Sequence, residues 1–146
     1  MKPWQQILND HYDDPYHRGA CDVPTHAASA RCPASGCVIA YELCVDPAGR
    51  VVQAWFEGEG CPTCEAVASL LAAYAEKRTQ AELQSLTTEN LSACLNLGDS
   101  AEWQQAVCAL LPWTAVCQAF KQPLDPLDGD LADGTNFGGP SLREEC

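Results

Sequence analysis

Between residues 38 and 45 the chain alternates. Ile39, Tyr41, Leu43 and Val45 fall on one side of an extended backbone and Val38, Ala40, Glu42 and Cys44 on the other, which is strand periodicity. Asp46-Pro47-Ala48-Gly49 supplies turn residues, and Val51 to Glu57 reads as a second strand with Val52, Ala54 and Phe56 on one face. The short connection predicts an antiparallel hairpin, closed by Gly58 and Gly60. Pro62 suits the first position of a helix, where a missing N–H costs nothing, and Val67, Leu70, Leu71 and Tyr74 draw an apolar stripe through about Lys77. Thr79 with Glu82 three residues on predicts a capped short helix. Thr87-Thr88-Glu89-Asn90-Leu91 opens another, and Gly98 closes it. From 101 to 120, Trp103, Val107, Leu110, Leu111 and Cys117 recur at helical spacing, so one last helix is expected, bent at Pro112.

The flanks are less regular. Residues 3–9 place Trp4, Ile7 and Leu8 on one side of a short helix, and residues 11–19 read as a turn broken by Pro15 and Gly19. Residues 20–36 are small, polar and interrupted by Pro24 and Pro33: a loop with room for a short strand. After Pro123, Asp125, Asp128, Asp130 and Asp133 alternate with Gly, Pro and Leu. The order predicts an α+β domain over residues 1–121, a small antiparallel sheet with helices packed on one face, followed by an acidic, mobile tail over 122–146.

The net charge of −12, with eight scattered Lys and Arg, argues against nucleic acid and anionic membranes as partners. The stretch Ala66 to Ala75 is too short to cross a bilayer, and the first ten residues lack the apolar run of a signal peptide. A cytoplasmic protein is therefore expected. In that compartment ten cysteines point to metal or redox chemistry rather than a disulfide framework.

The informative thiols stand at element ends. Cys37 opens the first strand of the hairpin, Cys61-Pro62-Thr63-Cys64 joins a strand to a helix, and Cys108 lies one turn before Pro112. Unpaired N–H groups at a helix N-terminus stabilise thiolate, which suits metal ligation, disulfide chemistry or persulfide formation. Cys44, Cys94 and Cys117 read as packing thiols, Cys21 and Cys32 are open, and Cys146 lies in the tail. No histidine completes a zinc-finger spacing, and there is no Gly-rich phosphate loop and no G-x-S-x-G. The residues predict a cysteine-ligated metal or cluster binder, with no visible support for hydrolase chemistry.

Asp10-His11-Tyr12-Asp13-Asp14-Pro15-Tyr16-His17-Arg18-Gly19, then Gly36, the hairpin through Asp46 and Gly49, Phe56-Glu57-Gly58-Glu59-Gly60-Cys61, and Cys108 followed by Leu110-Leu111-Pro112-Trp113 resemble the U-type iron–sulfur cluster scaffolds: IscU, SufU and the N-terminal domain of NifU. The resemblance spans about residues 7–120 and implies an IscU/SufE-like fold. It implies assembly of an iron–sulfur cluster from iron and sulfur supplied by a cysteine desulfurase, delivery to acceptor apo-proteins, and a possible homo-oligomer. The family site uses three cysteines and an aspartate, the first cysteine and the aspartate lying in a C-G-D triplet. Here that triplet is Ser35-Gly36-Cys37; the second and third family cysteines match Cys61 and Cys108, and the residue before the third is Val107. Three positions keep a thiolate, and Cys64, or failing it Cys32, is the expected fourth ligand. The resemblance thus implies a cluster, two-iron or four-iron, held by Cys37, Cys61, Cys64 and Cys108. The competing readings are zinc on the same residues, and a sulfur acceptor or thiol-redox protein cycling Cys61 and Cys64.

Overall fold

The computed structural model describes residues 2–98 and 102–124. Helix α1 (Pro3–Asp13) is followed by strands β1 (His26–Arg31), β2 (Val38–Val45) and β3 (Val51–Glu59), then α2 (Pro62–Ala75), α3 (Gln80–Gln84), α4 (Thr88–Cys94), a 3-10 turn (Glu102–Gln105) and α5 (Leu111–Phe120). The strands form one antiparallel sheet in the order β1-β2-β3. Helices α2 and α5 pack on it and on each other, and α1 packs on α2. The α+β class is as expected.

The alternation in β2 holds: Ile39, Tyr41 and Leu43 are fully buried. The Tyr41 hydroxyl donates to the Ala68 carbonyl at 2.6 Å, pinning the sheet face to α2. In β3 the expected inward face shifts. Cys44 pairs with Gln53 but Val45 with Val51, so Val52 is an extra residue in the ladder. A bulge of this kind changes the phase of the side chains. Val51, Ala54 and Phe56 face the core, and Val52, expected on one face with Ala54 and Phe56, is exposed. The strand also runs through Gly58 to Glu59 rather than ending before Gly58.

The short strand for which the 20–36 loop had room is β1, residues 26–31. Ala27, Ala28, Ser29 and Ala30 are all buried, so no alternation marks them. Each sheet edge is covered over a short stretch, as exposed edges otherwise invite pairing. Residues 17–19 run beside β3, with Gly19 N–H donating to Phe56 carbonyl at 2.8 Å and Phe56 N–H to His17 carbonyl at 3.1 Å. Residues 122–124 run beside the start of β1, with Leu124 N–H donating to Thr25 carbonyl at 2.7 Å. The remainder of the expected acidic tail, 125–146, lies outside the described residues.

The last helix is the main correction. A single bent helix from 101 to 120 was expected. Instead the chain makes a 3-10 turn, several further turn residues, and then α5, with Pro112 in its first turn. Proline is preorganised for a helix start and costs most in a helix interior, so it begins α5 rather than bending it.

Candidate metal centre

Three segments distant in sequence each deliver one thiol to the same point. The first is the tight connection between β1 and β2. Cys32 N–H donates to Cys37 carbonyl at 2.8 Å, and Gly36 N–H returns to Cys32 carbonyl at 2.7 Å. Gly36 takes φ +79°, the left-handed region that a Cβ disfavours, and this turns Cys37 back toward the sheet. The second is the start of α2. Cys61 is its N-cap, and its sulfur accepts the Cys64 N–H at 3.4 Å. The third is the turn before α5, where Leu111 N–H donates to Cys108 carbonyl at 3.2 Å. Cys108 therefore sits in a turn, not in the helix expected from its spacing.

The sulfur atoms of Cys37, Cys61 and Cys108 lie within 4.8 Å of one another. Among the described residues this is the one group of three or more potential metal ligands at that spacing. A tetrahedral zinc–thiolate site, with Zn–S of about 2.3 Å, sets neighbouring sulfurs about 3.8 Å apart. Loading a metal would draw these thiols in by at most about 1 Å on that geometry. Cys64 lies deeper, fully buried, with its thiol against Cys108. The Gly60 backbone is wedged beside it: a Cβ there would stand 3.1 Å from the Cys64 sulfur and 3.3 Å from the Cys37 Cβ.

The thiols are not electrostatically equal. Burial opposes the Cys37 thiolate, but hydrogen bonds from the Ser35 hydroxyl, the Cys61 N–H (3.3 Å to Sγ) and the Cys108 and Cys61 thiols outweigh it, and its pKa is lowered. Cys108 is pushed up to about 12 by burial and by its hydrogen bonds to Cys61 and Cys37. Burial and the neighbouring thiols push Cys64 further up still. Hydrogen bonding thus favours the Cys37 thiolate, while burial disfavours ionisation of the two deeper thiols. The donor set is sulfur alone, which favours zinc or an iron–sulfur cluster over hard, oxygen-seeking ions.

An ionic clamp holds the Cys61 side of the site. Arg18 Nη1 meets Glu65 Oε1 at 2.7 Å, Nη2 donates to the Gly58 carbonyl at 2.7 Å, and Nε meets Glu57 at 3.2 Å. The second oxygen of Glu65 accepts the Gly60 N–H at 3.1 Å. Neither Arg18 nor Glu65 was singled out from sequence, because forty-seven residues separate them and no local spacing announces the pair.

The other cysteines lie elsewhere or at the rim. Cys32 is partly buried at the mouth of the site, where hydrogen bonds from Ser35 lower its pKa. Cys21 is buried beside Gln53. Cys44, Cys94 and Cys117 are half-buried, and Cys146 is outside the described residues. The histidines take structural positions: His11 bonds Ser69 at 2.7 Å, and His17 stacks on Trp55 with ring centroids 4.2 Å apart.

With this geometry the sequence was compared with known families and structures. The NifU-like N-terminal domain matches residues 4–123. The chain belongs to that family. No curated protein matched it. Among solved structures, a protein of unspecified function has TM-score 0.66 and 21% identity, covering 82% of this chain and 97% of its own. A chain described as an iron–sulfur cluster assembly scaffold protein for the SUF system of Fervidobacterium islandicum AW-1 has TM-score 0.65 and 19% identity, with coverage of 78% and 93%. The N-terminal part of a nitrogen-fixing NifU-like protein from Brucella abortus has TM-score 0.68 and 16% identity, with coverage of 80% and 91%. At these identities the structures establish a shared fold. Among the described residues, no helix of this NifU-like domain is long and apolar enough to cross a membrane.

Proposed function

We propose that this NifU-like domain is an iron–sulfur cluster scaffold or carrier that takes the cluster as cargo on Cys37, Cys61 and Cys108, with Cys64 as the fourth thiolate. The observation that carries the reading is the meeting of three thiols within 4.8 Å from three separate segments, with a buried fourth beneath them. Membership of the family supports it. Four thiolates satisfy a two-iron or a four-iron cluster. Where the U-type scaffolds carry an aspartate, this chain carries Cys37, a softer ligand that binds iron–sulfur clusters more firmly. The cargo is accordingly retained longer, which fits storage or carriage better than rapid hand-off. Its partners are a cysteine desulfurase, acceptor apo-proteins and a second copy of the chain sharing the cluster. Neither nucleic acid nor a membrane fits a net charge of −12, and the cytoplasm suits thiols that must stay reduced.

A second reading places zinc on the same residues and uses Cys61 and Cys64 to accept sulfur. The N-cap position of Cys61 favours it, because its sulfur stands at the open end of α2, in contact with the Cys64 N–H and only partly buried. The complete burial of Cys64 works against it, since a cycling dithiol needs both sulfurs within reach of its partner.

The test is iron, zinc and acid-labile sulfide content with a visible spectrum, on protein purified without oxygen. Iron and sulfide in similar amounts, lost in Cys37→Ser, Cys61→Ser and Cys108→Ser, is the expected result. Zinc without sulfide would select the second reading. Metal affinity should also rise with pH. Cys108, near 12, and Cys64, higher still, are protonated at neutral pH and must release protons on loading. A chelator competition should show up to about tenfold tighter zinc binding per pH unit for each proton released. A flat profile from pH 6 to 8 would mean that these thiols are not ligands.

A further inference from the structure

Cys32 lies outside the proposed ligand set, yet it is built into the same hairpin as Cys37. The β1–β2 register pairs Arg31 with Val38, so the next rung places Cys32 opposite Cys37. The Cys32 N–H to Cys37 carbonyl bond at 2.8 Å shows that the rung is formed. Residues opposed on an antiparallel ladder point to the same face, with Cα atoms about 5.5 Å apart at a hydrogen-bonded rung. That spacing lies inside the range of about 4.4–6.8 Å that a disulfide spans. The face is the inner one, shared with Ala30 and Ile39, and Cys32 packs at its edge beside the core. Ser35 closes the turn between the two cysteines, its hydroxyl accepting the Cys37 N–H at 3.3 Å.

We propose that Cys32 and Cys37 form a reversible cross-strand disulfide when the site is empty, and that this bond withdraws Cys37 from metal. The oxidant is a small-molecule disulfide, RSSR. The more exposed Cys32 thiolate attacks one sulfur of RSSR, breaking its S–S bond and releasing RSH after protonation. The resulting mixed disulfide on Cys32 is attacked by Cys37, forming the Cys32–Cys37 bond and releasing the second RSH. Two electrons and two protons pass from the protein thiols to RSSR, and a dithiol reductant reverses both steps. Cys32 is only partly buried, and accessible disulfides are among the easily reduced ones. The pairing stands on the backbone register alone; its effect on loading rests on the ligand reading above, in which Cys37 holds the cargo.

The test is oxidation of metal-free protein with oxidised glutathione, alkylation of remaining thiols under denaturing conditions, and tryptic mapping. Cleavage after Arg31 and Arg50 yields a peptide of residues 32–50 holding Cys32, Cys37 and Cys44, while Cys61 and Cys64 fall in 51–77. The expected product is peptide 32–50 lighter by two hydrogens with only Cys44 alkylated, and this product is absent in Cys32→Ser. The oxidised wild type should bind zinc more than about tenfold more weakly until dithiothreitol is added, whereas Cys32→Ser treated in the same way binds as before. A disulfide joining 32–50 to 51–77, or three free thiols in 32–50, would overturn the proposal. A mapped Cys32–Cys37 bond with undiminished zinc binding would keep the switch's chemistry but sink its effect, pointing to an error in the ligand reading instead.

Discussion

Two of the loops that carry the candidate ligands are built in opposite ways. The segment from Gly58 to Cys61 is held from every side. Gly58 adopts φ +143° against the β2 backbone, Gly60 is wedged between Cys64 and Cys37, and Arg18 with Glu65 bonds the carbonyl of Gly58 and the N–H of Gly60. The loop from Cys32 to Cys37 is open: a Cβ on Gly36 would meet nothing within 4 Å, and the loop is held chiefly by its own backbone and Ser35. A metal site assembled from separate segments needs one part that fixes position and another that adjusts as thiols close on the ion. Here the α2 side is held by side chains and close packing, and the β1–β2 side chiefly by its own backbone.

Substitutions should separate the two loops cleanly. The largest effect is expected at Gly58. A Cβ there would stand 2.1 Å from the Val38 carbonyl oxygen, which no rotamer relieves. Gly58→Ala should cost at least about 3 kcal/mol in denaturant unfolding of the metal-free protein. A loss below about 1 kcal/mol would mean the segment is not fixed. Next is Arg18→Ala, which leaves the Gly58 carbonyl and Glu65 without their cation. A cost of about 1–2 kcal/mol is expected, together with faster metal loss to a chelator. Arg18→Lys should recover only part of either, because one ammonium cannot bridge Glu57, Glu65 and the Gly58 carbonyl together. Equal behaviour of Lys and Arg would reduce the clamp to simple charge balance. Smallest is Gly36→Ala, where only the left-handed backbone is penalised, by about 1 kcal/mol, and metal affinity should change little. A collapse of affinity in Gly36→Ala would show that the open loop is as constrained as the closed one.

The readable parts of the sequence were those whose signal is local. The alternation of Ile39, Tyr41 and Leu43, the turn at Asp46–Gly49, the proline at the start of α2 and the Thr79 and Thr87 caps all act within a few residues, and each element formed where they predict. Strand β1 was legible only as room for a short strand within 20–36, because Ala27–Ala30 are small and buried on both faces, which erases the period of two. The orientation of Val52 was missed because the bulge beside it follows from pairing with β2, not from its own neighbours. Cys108 was placed in a helix because its apolar neighbours recur at helical spacing, although Pro112 works better as a helix start than as an interior residue.

Cys37, Cys61, Cys64 and Cys108 were each singled out from the chain, and their residue type alone limits the chemistry to soft metals, clusters and thiol exchange. That much sequence determines by itself, because a sulfur donor keeps its affinity wherever it is placed. Which thiols meet was decided by the tertiary structure. Three backbone turns and the packing of α2 and α5 on the sheet bring Cys37, Cys61 and Cys108 within 4.8 Å, bury Cys64 beneath them and oppose Cys32 to Cys37. Distances between residues dozens of positions apart depend on how the whole core packs, and no local pattern encodes them.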